Sequence, residues 1–447
     1  MSKKCVDVKL VSKLSSIVAV FLARGIASLG FIIISAVTSK YILGSEGQVF
    51  IFNLSLLLGI SVVARYGRDN ALLRFGAVAW NSRGVGEYRE LVGFATKSTL
   101  RLSCILVPLA LMISFSVFGL EAVNSPQVLI LLAIPSVALL QIYSSALKAA
   151  SMPQFGALIE AGAVCFFASI LFMLGIEFNV ASLSSLPLTF FIGSVILSLS
   201  IGFFVSRLSP AGEAANVSSS SHGENMLQPL RDASRPLFLM AFSYYFLQWG
   251  VNLVVGFSGD KTAIIDFNAA NRLASLIPAA LLVVNTLVAP KIANLHDKGS
   301  SIELNILVKK VNIITTLIGL PIVLTMLVFP SFVMRELFSI RSDDAVMVLR
   351  ILAFGQLANL LAGPAMYCLA MTGHEKTLQR IYLSSSIAIF VVVVIVAPIY
   401  GIKAVAVSVV IGISAVNFSM AFQVYRKLGV RMLIIEILYS MKSLVAK

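Results

Sequence analysis

Runs of about 20 apolar residues follow one another from residue 14 to residue 424, and this succession constrains the fold more than any other feature. At a rise of about 1.5 Å per residue, such a run crosses a hydrocarbon core about 30 Å thick. The runs are too long and too uniformly apolar for the alternating strands of a membrane β-barrel, so they read as helices. They fall at 14–38, 48–66, 92–118, 127–147, 154–175, 185–206, 236–256, 267–290, 310–330, 346–371, 378–397 and 403–424. The expectation is an all-α integral membrane protein of about twelve transmembrane helices. Its composition, 58% hydrophobic and 12% charged, carries about half the charge of a soluble chain. The first run follows Lys3, Lys4, Lys9 and Lys13 but is long enough to span, and no small-residue cleavage site closes it. It therefore reads as a retained helix and not a signal peptide.

Charge fixes the orientation. With the amino terminus in the cytoplasm, cytoplasmic segments carry 26 of the 34 Lys and Arg residues and outside segments carry 6. Arg24 and Arg272 lie within spans. The positive-inside rule then places both termini in the cytoplasm of a multi-pass inner-membrane protein. It also explains the net charge of +14 by anionic inner-leaflet lipid, without nucleic acid.

The longest polar interruption, residues 207–235, reads as a cytoplasmic linker between an N-terminal lobe (1–206) and a C-terminal lobe (236–425) of six helices each. A faint repeat supports the division. Gly44, Phe52 and Asn53 match Gly259, Phe267 and Asn268 at a constant offset of 215 residues. Two parallel halves predict a substrate site in a central cavity at their interface. The tail, 426–447, is expected to include a short helix lying on the inner membrane surface.

No HExxH, phosphate-cradling glycine loop or GxSxG is present, and neither a cofactor nor a metal is implied. Cys5, Cys104, Cys165 and Cys368 are scattered and suggest neither a disulfide nor a zinc site. His222, His296 and His374 fall in expected cytoplasmic loops. In "MTGHEKTLQR" (371–380), Gly373 permits a reversal between two spans, with Lys376 and Arg380 anchoring it at the inner surface.

The informative residues are charges inside the membrane. Arg24 sits ten residues into the first span, and a central arginine costs roughly 2.5–3.5 kcal/mol to insert, so it must face a partner or a polar cavity. Arg24, Ser28, Ser35 and Thr38 form one stripe; Asn268, Arg272, Ser275 and Thr286 form another. Tyr244, Gln248 and Asn252 follow at i, i+4 spacing in the seventh span, and Gln356, Asn359 and Tyr367 lie in the tenth. Several polar stripes on apolar helices suggest a hydrated cavity. The planar guanidinium fork suits phosphate or pyrophosphate as its guest. The alternative is that Arg24 and Arg272 only hydrogen-bond backbone carbonyls, or pair with Asp266, to lock helices together. Arg65, Arg68 and Arg74 could receive an anionic headgroup from the cytoplasm or simply anchor the chain beside lipid phosphate. Glu160 and Asp266 are the candidates for ion coupling.

"YGRDNALLRFGA", "AANRLASLIPAALLVVNTLVAPKIANLHDKG", "LAGPAMYCLAMTGHEK" and "YGIKAVAVSVVIGISAVNF", in this order and spacing, resemble the polysaccharide and O-antigen (Wzx-type) flippases. These form a branch of the multidrug/oligosaccharidyl-lipid/polysaccharide (MOP) exporter superfamily. The resemblance implies two lobes around a cationic cavity that passes an undecaprenyl-pyrophosphate-linked oligosaccharide from the inner to the outer leaflet by alternating access. It implies contacts from Arg24 and Arg272 to pyrophosphate or sugar acid groups, and Arg74 matches a usual basic position. A polysaccharide polymerase and a chain-length regulator are the implied protein partners. Two rivals stand. A multidrug cation extruder of the same superfamily would prefer a carboxylate where this chain has Arg24. A membrane polymerase or ligase acting on lipid-linked sugars would need a catalytic loop longer than the outside segment 331–345.

Overall fold

The computed structural model describes residues 2–42, 44–80, 85–120, 126–180, 185–208, 223–258, 260 and 262–432, and every regular element among them is helical. Eight helices among the described residues are long and apolar enough to cross a membrane, and Ala161–Glu177 is a shorter apolar helix. The chain divides into two compact units, Met1–Tyr245 and Phe246–Lys447.

The first unit contains α1 (Ser2–Tyr41), α2 (Ser45–Arg65), α3 (Arg68–Val78), α4 (Val85–Phe118) and α5 (Val128–Leu132). It continues through α6 (Ile134–Ala149), α7 (Pro153–Leu158), α8 (Ala161–Glu177), α9 (Leu186–Arg207) and α10 (Gly223–Tyr245). Apolar residues cover α2 on nearly every face, which marks a helix surrounded by others, and it is buried almost throughout. Two of its buried polar positions bond to neighbouring elements. Asn53 donates to the Gln127 carbonyl at 3.3 Å and accepts from the Ser114 hydroxyl at 2.7 Å, while the Ser55 carbonyl accepts from the Tyr245 hydroxyl at 2.8 Å.

Small residues set the closest helix approach. A side chain on Gly30 of α1 would run into the Gly162 carbonyl of α8, and one on Gly162 would run into the Ala27 carbonyl. Hydrocarbon supplies no hydrophobic drive between helices, so such backbone proximity and its dispersion contacts hold them together.

The α10 helix begins within the expected linker: residues 223–235 are helical, and Leu230 and Ser234 are buried. Their packing holds a polar segment in a helix that composition alone leaves open. Residues 209–222, including His222, lie outside the described residues.

The second unit opens with a π turn (Phe246–Gly250), followed by α11 (Val251–Phe257), α12 (Ala263–Ala274), α13 (Leu276–Asp297) and α14 (Ser301–Val328). Then come α15 (Pro330–Phe338), α16 (Asp343–Ala362), α17 (Ala365–Met371) and α18 (Glu375–Leu428). Ser342 caps α16 by accepting from the Ala345 amide, with Asp343 and Asp344 complementing the helix dipole. Gly401, at φ 69° and ψ −169°, breaks α18 into two helices at the boundary expected between the eleventh and twelfth spans. Gly373, at φ 77°, makes the reversal expected in "MTGHEKTLQR". After Gly429 (φ 68°) the chain folds back, burying Val430 and Met432 beside Leu304, Cys368 and Val424. Residues 433–447 of the expected surface helix lie outside the described residues.

The repeat residues share an environment. Phe52 and Asn53 in the first unit are fully buried, as are Phe267 and Asn268 in the second. Gly259 lies outside the described residues.

The glycine crossing generates a prediction. Gly162→Val should destabilise the protein by about 1–3 kcal/mol, the usual cost of overpacking. Gly193→Val is the control, because a side chain there meets nothing within 4 Å. Thermal unfolding in detergent reads both; equal melting temperatures for the two variants would remove the tight crossing.

Candidate functional site

In the second unit, the π turn, α11 and α12 gather four residues expected to share a site. An N–H in a π turn reaches one residue further back than in an α turn. The Gln248 carbonyl, inside this turn, accepts from two side chains: the Arg272 guanidinium, and Asn271 Nδ2 at 3.2 Å. The Arg272 Cζ also lies 3.7 Å from the centroid of the Trp249 ring, on its electron-rich face. One turn on, Asn252 Nδ2 donates to Asn268 Oδ1 at 3.0 Å, with both side chains buried.

These contacts explain how Arg272 is tolerated at only 3% exposure. A buried cation needs compensating dipoles, and here a carbonyl and an indole face supply them. The geometry also refines the sequence reading. Gln248 contributes its backbone carbonyl to the cluster, and Trp249 and Asn271 join it although neither was singled out. The available signal was Trp249, one of two tryptophans in the chain, next to a glutamine in an apolar span. Gln356 and Asn359 of α16 bond to each other at 3.2 Å. Ser275 bonds back to the Arg272 carbonyl at 2.6 Å, and the Thr286 side chain lies outside the described residues.

Asp266, in the first turn of α12, is half-buried, with Ser342, Asp260 and Asp344 among its neighbours. In the first unit, Arg24 and Ser28 are half-buried on α1, and Arg24 makes no ion pair among the described residues. Further along the stripe, Ser35 and Thr38 are buried and bond to the carbonyls of Phe31 and Ile34 in their own helix.

The cytoplasmic arginines differ among themselves. Arg65 pairs with Asp69 at 2.8 Å and donates to the Ser61 carbonyl. Arg68 donates to the Ala64 carbonyl at the end of α2, the usual place for a cation. Arg74 is exposed, over the ring of Phe75. Tyr66 at φ 49° and Gly67 at φ 73° form the turn between these helices, and Tyr66 stacks on Phe238 at 5.0 Å. Glu160 pairs with Lys148 at 2.6 Å.

The His374 ring bonds to the Thr372 hydroxyl at 3.0 Å. Partial burial, then the charges of Lys427 and His296, lower its pKa below the ordinary histidine value, against a smaller opposing effect from Thr372. The neutral ring is therefore favoured in the folded protein. Its contribution to stability is present above the ordinary value and is lost as pH falls through the lowered one.

Among the described residues, no group of three or more His, Cys, Asp or Glu could hold a metal.

Two predictions follow from these contacts. Asn268→Ala leaves the buried Asn252 amide without this acceptor and should cost about 1–3 kcal/mol of stability; unchanged detergent unfolding would remove the pair as a stabilising contact. Histidine-selective NMR should place the His374 midpoint below about 6.5, and Lys427→Met should raise it. A midpoint that ignores Lys427 would contradict the proximity of the two groups.

No family model and no curated protein matches the chain by sequence. Solved structures do. An inward-facing multidrug resistance MATE family transporter of the MOP superfamily aligns at 14% identity and TM-score 0.66, covering 92% of this chain and 94% of that one. The lipid II flippase MurJ, in an inward closed conformation, aligns at 15% identity and TM-score 0.68, covering 92% of this chain and 87% of that one. A MOP superfamily transporter from Pyrococcus furiosus, described as having a binding pocket of reversed polarity, aligns at 14% identity and TM-score 0.56 over 93% and 95% of the two chains. Across nearly its whole length, this chain has the fold of the MOP-superfamily transporters.

Proposed function

We propose that the protein is a flippase that moves undecaprenyl-pyrophosphate-linked oligosaccharide repeat units from the cytoplasmic to the periplasmic leaflet of a bacterial inner membrane by alternating access. In this reading twelve spans form two six-helix lobes around a central cavity, with both termini in the cytoplasm. The helix breaks support that count. α18 supplies two spans, while α5 with α6, α10 with α11, α12 with α13, and α16 with α17 supply one broken span each.

The observation that carries the proposal is the buried cation at Arg272, set among amides and an aromatic face. Arg24 adds a second intramembrane cation. Arginine is always charged and pairs with phosphate oxygens through two parallel donors. With Arg24, Ser28, Gln248, Asn252, Asn268 and Arg272 as the substrate-binding set, the fitting guest is an anion. Arg74 is the best placed of the cytoplasmic arginines to receive it, because Arg65 and Arg68 already hold Asp69 and the Ala64 carbonyl. Outward movement of an anion from a negative interior is favoured by about 2.3 kcal/mol per charge per 100 mV, so the membrane potential supplies a driving force. Exchange of protons or sodium through Asp266 or Glu160 is a separate arm. For Glu160 it requires the Lys148 pair to open.

The second reading, export of organic cations, draws on the comparable likeness to multidrug transporters. It is disfavoured by Arg24, which stands where a cation exporter would use a carboxylate.

Deletion of the gene should leave complete, unpolymerised repeat units on the inner leaflet; accumulation on the outer leaflet would identify a polymerase instead. Arg24→Ala, at native expression and intact membrane levels, should lower surface polysaccharide about 10- to 100-fold, the range expected for losing a charge-assisted contact. Normal export by that variant would remove Arg24 from the site.

A further inference from the structure

The glycine crossing fixes the register of α8 against α1. Gly162 lies against the Ala27 carbonyl and Gly30 against the Gly162 carbonyl, and farther along both helices Tyr41 sits edge-on to Phe172 at 6.0 Å. The two helices therefore run in parallel. Arg24 stands about one turn before Ala27, and Glu160 stands just before Gly162, so the guanidinium and the carboxylate belong to the same level of the first unit. The elements that pack most extensively on α1 are α2, α7 and α8. Their other acidic residues, Glu46 in the first turn of α2 and Glu177 at the end of α8, lie toward the far end of α1. Glu160 is thus the carboxylate at the level of Arg24, yet Arg24 makes no ion pair among the described residues. Glu160 instead holds Lys148 of α6 at 2.6 Å, with the lysine and glutamate side chains 19% and 28% exposed. A pair so shielded escapes most of the screening that weakens surface ion pairs. The lysine stem is also confined: a Cβ on Gly156 of α7 would meet Lys148 Cγ at 2.7 Å.

We infer that Lys148 is a positioning residue for anion capture: by holding Glu160, it keeps that carboxylate off Arg24 and leaves the guanidinium open to the guest. The inference rests on the flippase reading, in which Arg24 contacts pyrophosphate. A carboxylate on Arg24 would occupy the same paired donors that a phosphate uses. Without Lys148, Glu160 is a poorly solvated charge without its counter-ion, and Arg24 is the cation at its own level. Two cations share one carboxylate here. Pairing it with the lysine leaves spare the cation whose planar fork matches phosphate.

Binding is read in lipid nanodiscs as retention of radiolabelled undecaprenyl pyrophosphate relative to undecaprenol. Lys148→Met should weaken it about tenfold as the freed Glu160 claims Arg24, and Lys148→Met combined with Glu160→Gln should restore it. In an Arg24→Ala background, Lys148→Met should change nothing further, because the effect passes through Arg24. Proximity is read without altering Lys148. With Cys5, Cys104, Cys165 and Cys368 replaced by alanine, Arg24→Cys combined with Glu160→Cys should be joined by a short bis-methanethiosulfonate reagent. Unchanged binding by a folded Lys148→Met protein, no rescue by Glu160→Gln, or an equal loss in the Arg24→Ala background would each overturn the inference. So would the absence of a cross-link, even where Lys148→Met fails to fold. If Arg24→Ala alone binds the pyrophosphate lipid as tightly as the unmodified protein, Arg24 is not its receptor and the inference falls with that assignment. If the unmodified protein does not retain the lipid at all, the flippase reading itself fails, while the cross-link still reports the geometry.

Discussion

A backbone carbonyl or amide inside hydrocarbon must find a partner within the protein, because each one left without a partner costs several kcal/mol. Several departures from a straight helix among the described residues meet that cost with side-chain partners. The α2 helix ends where Tyr66 and Gly67 turn in the left-handed region, and Arg68 takes up the Ala64 carbonyl. Asn53 donates to the Gln127 carbonyl just before α5 begins. Asn312 donates to the Leu361 carbonyl where α16 gives way to α17. At the π turn the Gln248 carbonyl takes a charged donor, Arg272.

The positions of the intramembrane charges follow from the same economy. The Arg272 cation lies against a backbone carbonyl and an indole face, two neutral groups that help to solvate its charge. Glu160 shows the opposite arrangement: its pairing with Lys148 consumes both charges and leaves a structural clasp between α6 and the start of α8.

Helix positions were legible in the sequence because bilayer thickness imposes one strong period on the whole chain. The reversal at Gly373 was legible because positive φ selects glycine, and the break at Gly401 falls in the gap between two apolar runs. The partners of the polar residues were harder to read. Stripe spacing placed Gln248 and Asn252 on the face of one helix and Asn268 and Arg272 on another. It could not show that Gln248 serves through its carbonyl, because a π turn adds a residue that shifts the register and leaves no mark in an apolar run. Residues 223–235 were hidden for the converse reason. Their composition is that of a linker, and burial of Leu230 and Ser234 decides the conformation through contacts distant in sequence.

The repeat sharpens what the two units have in common and where they part. Asn53 and Asn268 hold matching positions and matching burial, yet their networks differ. Asn53 bonds to a serine hydroxyl and a carbonyl, a closed neutral arrangement that fixes α2 among its neighbours. Asn268 bonds to Asn252, four residues after the carbonyl that engages Arg272, so its network lies beside a cation. If the two halves descend from one ancestral unit, the buried asparagine is the shared structural device and the arginine is what the second half has added. At the matching offset of 215 the first half has Leu57, so only in the second half does this buried asparagine have a cation one turn away on its own helix.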